Sequence, residues 1–146
     1  FGVRPALLEL QPMLGQLFIR RSQLKIGDVD GDAHLFMDRN QFDLIMLNLV
    51  ANARDALGPL SRGQVVIEVM QDKGSVQLTV TDDGHGMDAL TRQRMFEPFF
   101  STKPRDQGTG LGLPVVSDVV HANGGPIEVH STCQVGTQIR LLFPAG

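Results

Sequence analysis

Three short stretches of this 146-residue sequence combine residue types that could do chemistry. The first is DDGHGM at 82–87, placed where an alternating run, SVQLTVT at 75–81, comes to its end. A carboxylate at a strand end, followed by Gly84 and Gly86, lets the backbone turn tightly while a planar ligand comes close to it. Asp82 could then accept a hydrogen bond from an amino group, or simply cap its own turn. The second stretch is GTGLGL at 108–113, directly before a valine-rich segment, so that loop amides and a helix N-terminus face one point and could hold an anion. No GK[ST] follows it, and Leu113 stands where the dinucleotide fingerprint needs glycine, so neither phosphate motif applies and a flexible linker remains open. The third is NLVANARDA at 48–56, where Asn48 and Asn52 are one helical turn apart and offer amide oxygens on one face. Such oxygens are suitable hard ligands for Mg²⁺, although a solvated helix face would read the same way.

The elements that must position these groups are legible from periodicity. Leu7, Leu10, Leu14, Leu17 and Phe18 predict a helix over 5–20, which Pro12 should end or kink. SQLKIGDV at 22–29 alternates as a strand does, and Asp38 stands where it can cap the next helix. From Arg39 to Leu57 the apolar residues recur every three or four positions, and Gly58 with Pro59 stop the helix. Strands are expected at 65–70 and 75–81, joined as a hairpin by Asp72, Lys73 and Gly74. After a polar, glycine-dotted stretch from 83 to 110, a helix is expected over 111–123 with Val115, Val116, Val119 and Val120 buried, then strands at 126–131 and 137–143. Helices on one face of a mixed sheet follow from this order: an α+β two-layer sandwich.

Composition narrows the partners. An apolar content of 42% over this length fits one globular domain, taken as residues 1–146; it has no apolar run near 18 residues, and neither a membrane-spanning helix nor a leader peptide is expected. A net charge of -3 gives no basic face for nucleic acid, and no membrane contact is expected of this domain. The lone Cys133 cannot form an internal disulfide, which fits a reducing, cytoplasmic setting.

Taken in order, the stretches resemble the catalytic, ATP-binding domain of histidine kinases, within the gyrase, Hsp90, histidine kinase and MutL superfamily. NLVANARDA is similar to the asparagine box, DDGHGM and GTGLGL to the two glycine boxes, and MFEPFF at 95–100 to the phenylalanine box. The resemblance covers essentially the whole chain, and NARDA with FEPFFSTKP is similar to the nitrogen-regulatory and hybrid branch. It implies a Bergerat-type fold with the nucleotide between helices and sheet, ATP and Mg²⁺ as cofactors, and a role in two-component signalling. Asn52 is the implied Mg²⁺ ligand, with Asn48 assisting and Asp55 beside them. Asp82 is implied to read the adenine amino group, with Gly84, Gly86 and Met87 lining the base pocket. Residues from about Pro98 to Gly110 are similar to an ATP lid, including Phe99 and the phosphate-directed Lys103. The backbone at Gly108, Thr109, Gly110, Leu111, Gly112 and Leu113 is implied to cradle phosphate, and Thr137 lies near the adenine.

One departure carries chemistry. ATP-hydrolysing relatives have glutamate one turn before the metal asparagine, whereas this chain has Asn48, which cannot take a proton from water. The γ-phosphate is therefore expected to go to another acceptor, by positioning and charge neutralisation. His34, His85, His121 and His130 lack the acidic follower of the family's acceptor histidine. The acceptor is thus expected on a histidine-containing dimerisation domain, in the same full-length protein, which could be membrane-anchored, or in another chain, and through it a response regulator is served. Two other functions remain open here: a nucleotide-gated ATPase using Asp55 as base, and a degenerate fold that only docks a partner.

Overall fold

Asp38 starts the helix that organises the rest. Its Oδ1 accepts the Asn40 N–H at 2.8 Å, satisfying one of the donors that a helix start leaves open. In the computed structural model, which describes residues 1–18, 20–57, 63–84, 86, 112–132 and 135–144, helix α2 then spans Arg39–Leu57. Phe42, Ile45, Met46, Leu49, Val50, Ala53 and Leu57 are its buried stripe, at the spacing read from the sequence.

Helix α1 is Val3–Gly15, beginning earlier than periodicity predicts and running through Pro12 for three more residues. Proline removes the bond to the carbonyl four residues back, that of Leu8; Leu8 is 56% exposed, so water can serve that carbonyl instead. Leu17 and Phe18 fall outside the helix, in a tight turn where their N–H groups reach Leu14 and Gly15. Ser22 and Gln23 likewise belong to a 3₁₀ turn, and strand β1 is only Leu24–Val29. Gln23 accounts for the difference, because its side-chain oxygen accepts the Arg20 N–H at 3.2 Å and closes that turn. Arg39 ties α1 to α2 by donating to Glu9 and to the Ala6 carbonyl while it also pairs with Asp43.

Strands β2 (Val65–Asp72) and β3 (Ser75–Asp82) form the expected hairpin, slightly longer than read, around Lys73 and Gly74, both with positive φ (42° and 84°). Helix α3 is Gly112–Ala122, followed by β4 (Ile127–Thr132) and β5 (Gly136–Pro144). The five strands lie in the order β1-β2-β3-β5-β4, with β1 parallel to β2 and the other pairs antiparallel. Val65, Ile67, Val69, Val76, Leu78, Val80, Ile139, Leu141 and Phe143 face inward and share one core with the buried sides of α1, α2 and α3. Met70 and Glu68 alternate outward, so the helices cover one face, as the α+β two-layer reading requires.

Chain direction decides where a site can form. Strand β3 ends at Asp82, beside Val65 at the start of β2 and Thr137 near the start of β5, while β4 ends at the same level. The short turn at 123–126 joins α3 to β4, with the Gly125 N–H on the Val120 carbonyl, so α3 runs away from that end and its N-terminus faces it. Asn123 also donates to Gln41 near the start of α2, at the opposite end. The C-terminal half of α2 and the N-terminus of α3 thus look onto one rim of the sheet. Because Asp38 anchors the element carrying this rim, Asp38→Ala should lower the urea-unfolding free energy by about 1 kcal/mol with an unchanged denaturant slope.

Candidate functional site

The inner face of the sheet is apolar until its last row. Val65, Asp82, Thr137 and Ser131 stand side by side in register across β2, β3, β5 and β4. Strict alternation along β3 turns Asp82 inward after Val76, Leu78 and Val80, and leaves Asp83 outside. Asp82 and Thr137 are only 5% and 6% exposed, in a layer otherwise built from Val, Ile, Leu and Phe. Burial of a carboxylate is costly unless donors face it, and Asp82 Oδ1 accepts the Gly84 N–H at 2.9 Å. Ser131 and Thr137 share a hydroxyl–hydroxyl bond of 2.8 Å. The row therefore presents a carboxylate and two hydroxyls at the mouth of the sandwich.

Gly84 brings this row to α2. A Cβ on residue 84 would sit 2.3 Å from the Ala56 carbonyl oxygen, closer than any side chain tolerates, so only glycine lets the strand exit lie against the helix's last turn. Asn48, Asn52 and Ala56 succeed one another at four-residue intervals on one side of α2. Asn52 is half-buried and, among the described residues, its amide has no hydrogen-bond partner. Asn48 Nδ2 donates back to the Leu44 carbonyl at 2.8 Å. Asp55 is differently placed: one carboxylate oxygen accepts from Arg54 Nε and Nη2 at 3.1 and 2.8 Å.

Gly86 is buried with φ 69°, the left-handed conformation that favours glycine. Gly112 opens α3, and Leu113 packs its side chain partly against the core, so what it can offer a ligand is its backbone in the first turn. Met87, Phe99, Lys103, Gly108, Thr109, Gly110 and Leu111 lie outside the described residues, as do His85 and Cys133.

Periodicity missed three participants. Ser131 is visible as an inward position of PIEVHS, but its place opposite Thr137 depends on strand register. Gly136, with φ 145° and a would-be Cβ 2.2 Å from the Asp82 carbonyl oxygen, lets β5 start against the site. Asp83 clamps the entry of β2 by accepting the Gln64 N–H at 2.8 Å. Gly84→Ala should cost about 1–3 kcal/mol in denaturant unfolding, since backbone rather than a flexible side chain opposes the added methyl.

Known proteins share this architecture. Residues 37–146 match the family described as histidine kinase-, DNA gyrase B-, and HSP90-like ATPase. Sporulation kinase A of Bacillus subtilis (strain 168) is 36% identical over 143 residues, covering 98% of this chain and 22% of that protein. Sensor histidine kinase YvrG of the same organism is 37% identical over 110 residues, covering 73% of the chain and 19% of that protein. The chain thus spans only a small part of the curated relatives it matches. Among solved structures, the catalytic domain of histidine kinase ThkA superposes with a TM-score of 0.84 at 25% identity, covering 99% of this chain and 93% of that one. The mycobacterial sensor histidine kinase MprB superposes with 0.81 at 27% identity, covering 99% and 95%.

Proposed function

The chain belongs to the family of histidine kinase-, DNA gyrase B- and HSP90-like ATPases, and on that premise we propose that it binds Mg-ATP and donates the γ-phosphate to a histidine on a separate helical dimerisation domain. The observation that carries this is the contact of Gly84 with the Ala56 carbonyl, which brings the end of β3, where Asp82 is buried, to the side of α2 that carries Asn52 and Asn48. The fit to the nucleotide is chemical. Asp82 accepts from an exocyclic amino group at the strand end, and Thr137 adds a second oxygen beside it. Asn52, helped by Asn48, supplies hard amide oxygens for Mg²⁺, which keeps much of its water and the triphosphate oxygens as ligands. When bound, the metal neutralises charge on the phosphates. Gly112 and Leu113 direct first-turn amides at the same rim, favouring an anion there. In this proposal Gly84, Gly86 and Met87 line the base, while Phe99, Lys103, Gly108, Thr109, Gly110 and Leu111 belong to the phosphate side.

The transfer itself asks little covalent chemistry of the chain. Orientation and electrostatic stabilisation supply the rate, and water has to be kept from competing. Asn48 cannot serve as a base for water, and Asp55 is held by Arg54, which speaks against the hydrolase alternative. His34 and His121 engage Asp32 and Ser117 through Nδ1, and His130 stands exposed on β4. The acceptor we propose is therefore on another segment or chain, passing phosphate to a response regulator in the cytoplasm. No helix among the described residues is long and apolar enough to cross a membrane.

Asp82→Asn should weaken ATP binding by about tenfold or more in titration calorimetry, the loss expected for one charge-assisted hydrogen bond. Equal affinity in the variant would remove Asp82 from the base site. Asn52→Ala should abolish the gain in ATP affinity that Mg²⁺ gives the unaltered chain, while metal-free binding stays similar. Mixed with ATP and a helical histidine domain, the chain should leave acid-labile phosphate on that domain; ATP consumed at full rate without it would favour hydrolysis instead.

A further inference from the structure

The last paired residues of the β2–β3 hairpin are Val65 and Asp82, and one step further out Gln64 faces Asp83. There the Asp83 N–H reaches the Gln64 carbonyl at 3.4 Å, as an antiparallel ladder requires. The return bond departs from the ladder: the Gln64 N–H is taken by the carboxylate, Asp83 Oδ1, at 2.8 Å. The side chain of Asp83 thus stands in for its own main-chain carbonyl, so the entry of β2 stays anchored while the backbone after residue 83 is free to leave the sheet. It leaves toward α2, where Gly84 lies on the Ala56 carbonyl. Gly63, at φ 104°, makes a second close approach, since a Cβ there would meet the Leu57 side chain at 2.9 Å and Asp83 Oδ1 at 3.0 Å. One carboxylate therefore joins the segment that lies on Leu57 to the segment that lies on Ala56, the last two residues of α2.

We propose that Asp83 is a positioning residue for nucleotide binding: by clasping the entry of β2 to the exit of β3, it holds Gly84 against α2 and, through the Gly84 N–H, the carboxylate of Asp82. The proposal rests on the Mg-ATP reading above and adds to it a residue that acts through Asp82 and not on the ligand itself. Asp83 is exposed, so replacing it removes no buried packing. The clasp requires an acceptor oxygen at the Oδ1 position and not a charge, because its donor is a backbone amide. The metal side stands on α2, whose buried stripe is fixed independently by the core. Loss of the clasp is therefore felt at the strand end, while the Mg²⁺ contribution stays.

The test measures dissociation constants for ATP, with and without Mg²⁺, by titration calorimetry of the unaltered chain, Asp83→Ala, Asp83→Asn and Gln64→Pro. Asp83→Ala should weaken Mg-ATP by about three- to tenfold, the range of one hydrogen bond, and leave the gain from Mg²⁺ as it is. Asp83→Asn, which keeps an oxygen in that place, should bind as the unaltered chain does. Gln64→Pro removes the same bond from the donor side, just before the strand where proline is tolerated, and should match Asp83→Ala. In the Asp82→Asn background Asp83→Ala should cost about twofold at most, since the charge it positions is gone. An unchanged constant in Asp83→Ala, with a thermal transition showing it folded, overturns the inference and leaves the Mg-ATP reading intact, and so does a full, additive loss in the Asp82→Asn background. Equal losses in Asp83→Asn and Asp83→Ala overturn it as well. Should Asp83→Ala not fold, unchanged binding by Gln64→Pro overturns it. Failure of the unaltered chain to bind ATP at all overturns both.

Discussion

The last turn of α2 and the exit of β3 touch backbone to backbone, with the Ala56 carbonyl oxygen 2.3 Å from where a side chain on residue 84 would begin. Most helix–sheet contacts are made by side chains, which hold the backbones some 10 Å apart and leave a filled layer between. Here glycine removes the layer at one point, so the sheet rim meets the last turn of α2 directly. The asparagine side of α2 and the inward end of β3 are thereby brought together. Gly136 does the same for β5, whose start would otherwise be pushed away from the Asp82 carbonyl.

What this rim can do follows from how its polar groups are divided. At the sheet end they are buried and fixed: Asp82 is held by the Gly84 amide, and Thr137 by Ser131. At the helix end the amides of Asn48 and Asn52 are only half-buried. Rigid recognition of a base at one wall and exchangeable contact with a charged tail at the other is the division a nucleotide donor needs.

Much of this was legible before the fold. The stripe of α2, the hairpin of β2 and β3, and the inward turn of Asp82 all follow from periods of 3.6 and 2, which depend on neighbours in sequence. Ends were read less well where a local bond outweighed the pattern: Gln23 closes a 3₁₀ turn that alternation assigned to a strand, and Leu8 lies where water can take up the carbonyl that Pro12 should have orphaned. The pairing of Ser131 with Thr137, and of Gly84 with Ala56, was not legible at all. Both depend on register and on the approach of elements far apart in the chain, for which a single sequence carries no signal. The family resemblance supplied the roles of Asp82, Asn52 and Thr137, and periodicity alone would have left Asp82 as a turn cap.

A crystal structure of the chain with Mg²⁺ and a non-hydrolysable ATP analogue tests the central claim most directly. The purine amino group should lie within hydrogen-bond distance of Asp82 and Thr137, with the metal on Asn52 and the phosphates running along the side of α2 toward the start of α3. A nucleotide seated elsewhere, for instance on the open outer face of the sheet beside Glu68 and Arg140, would contradict it.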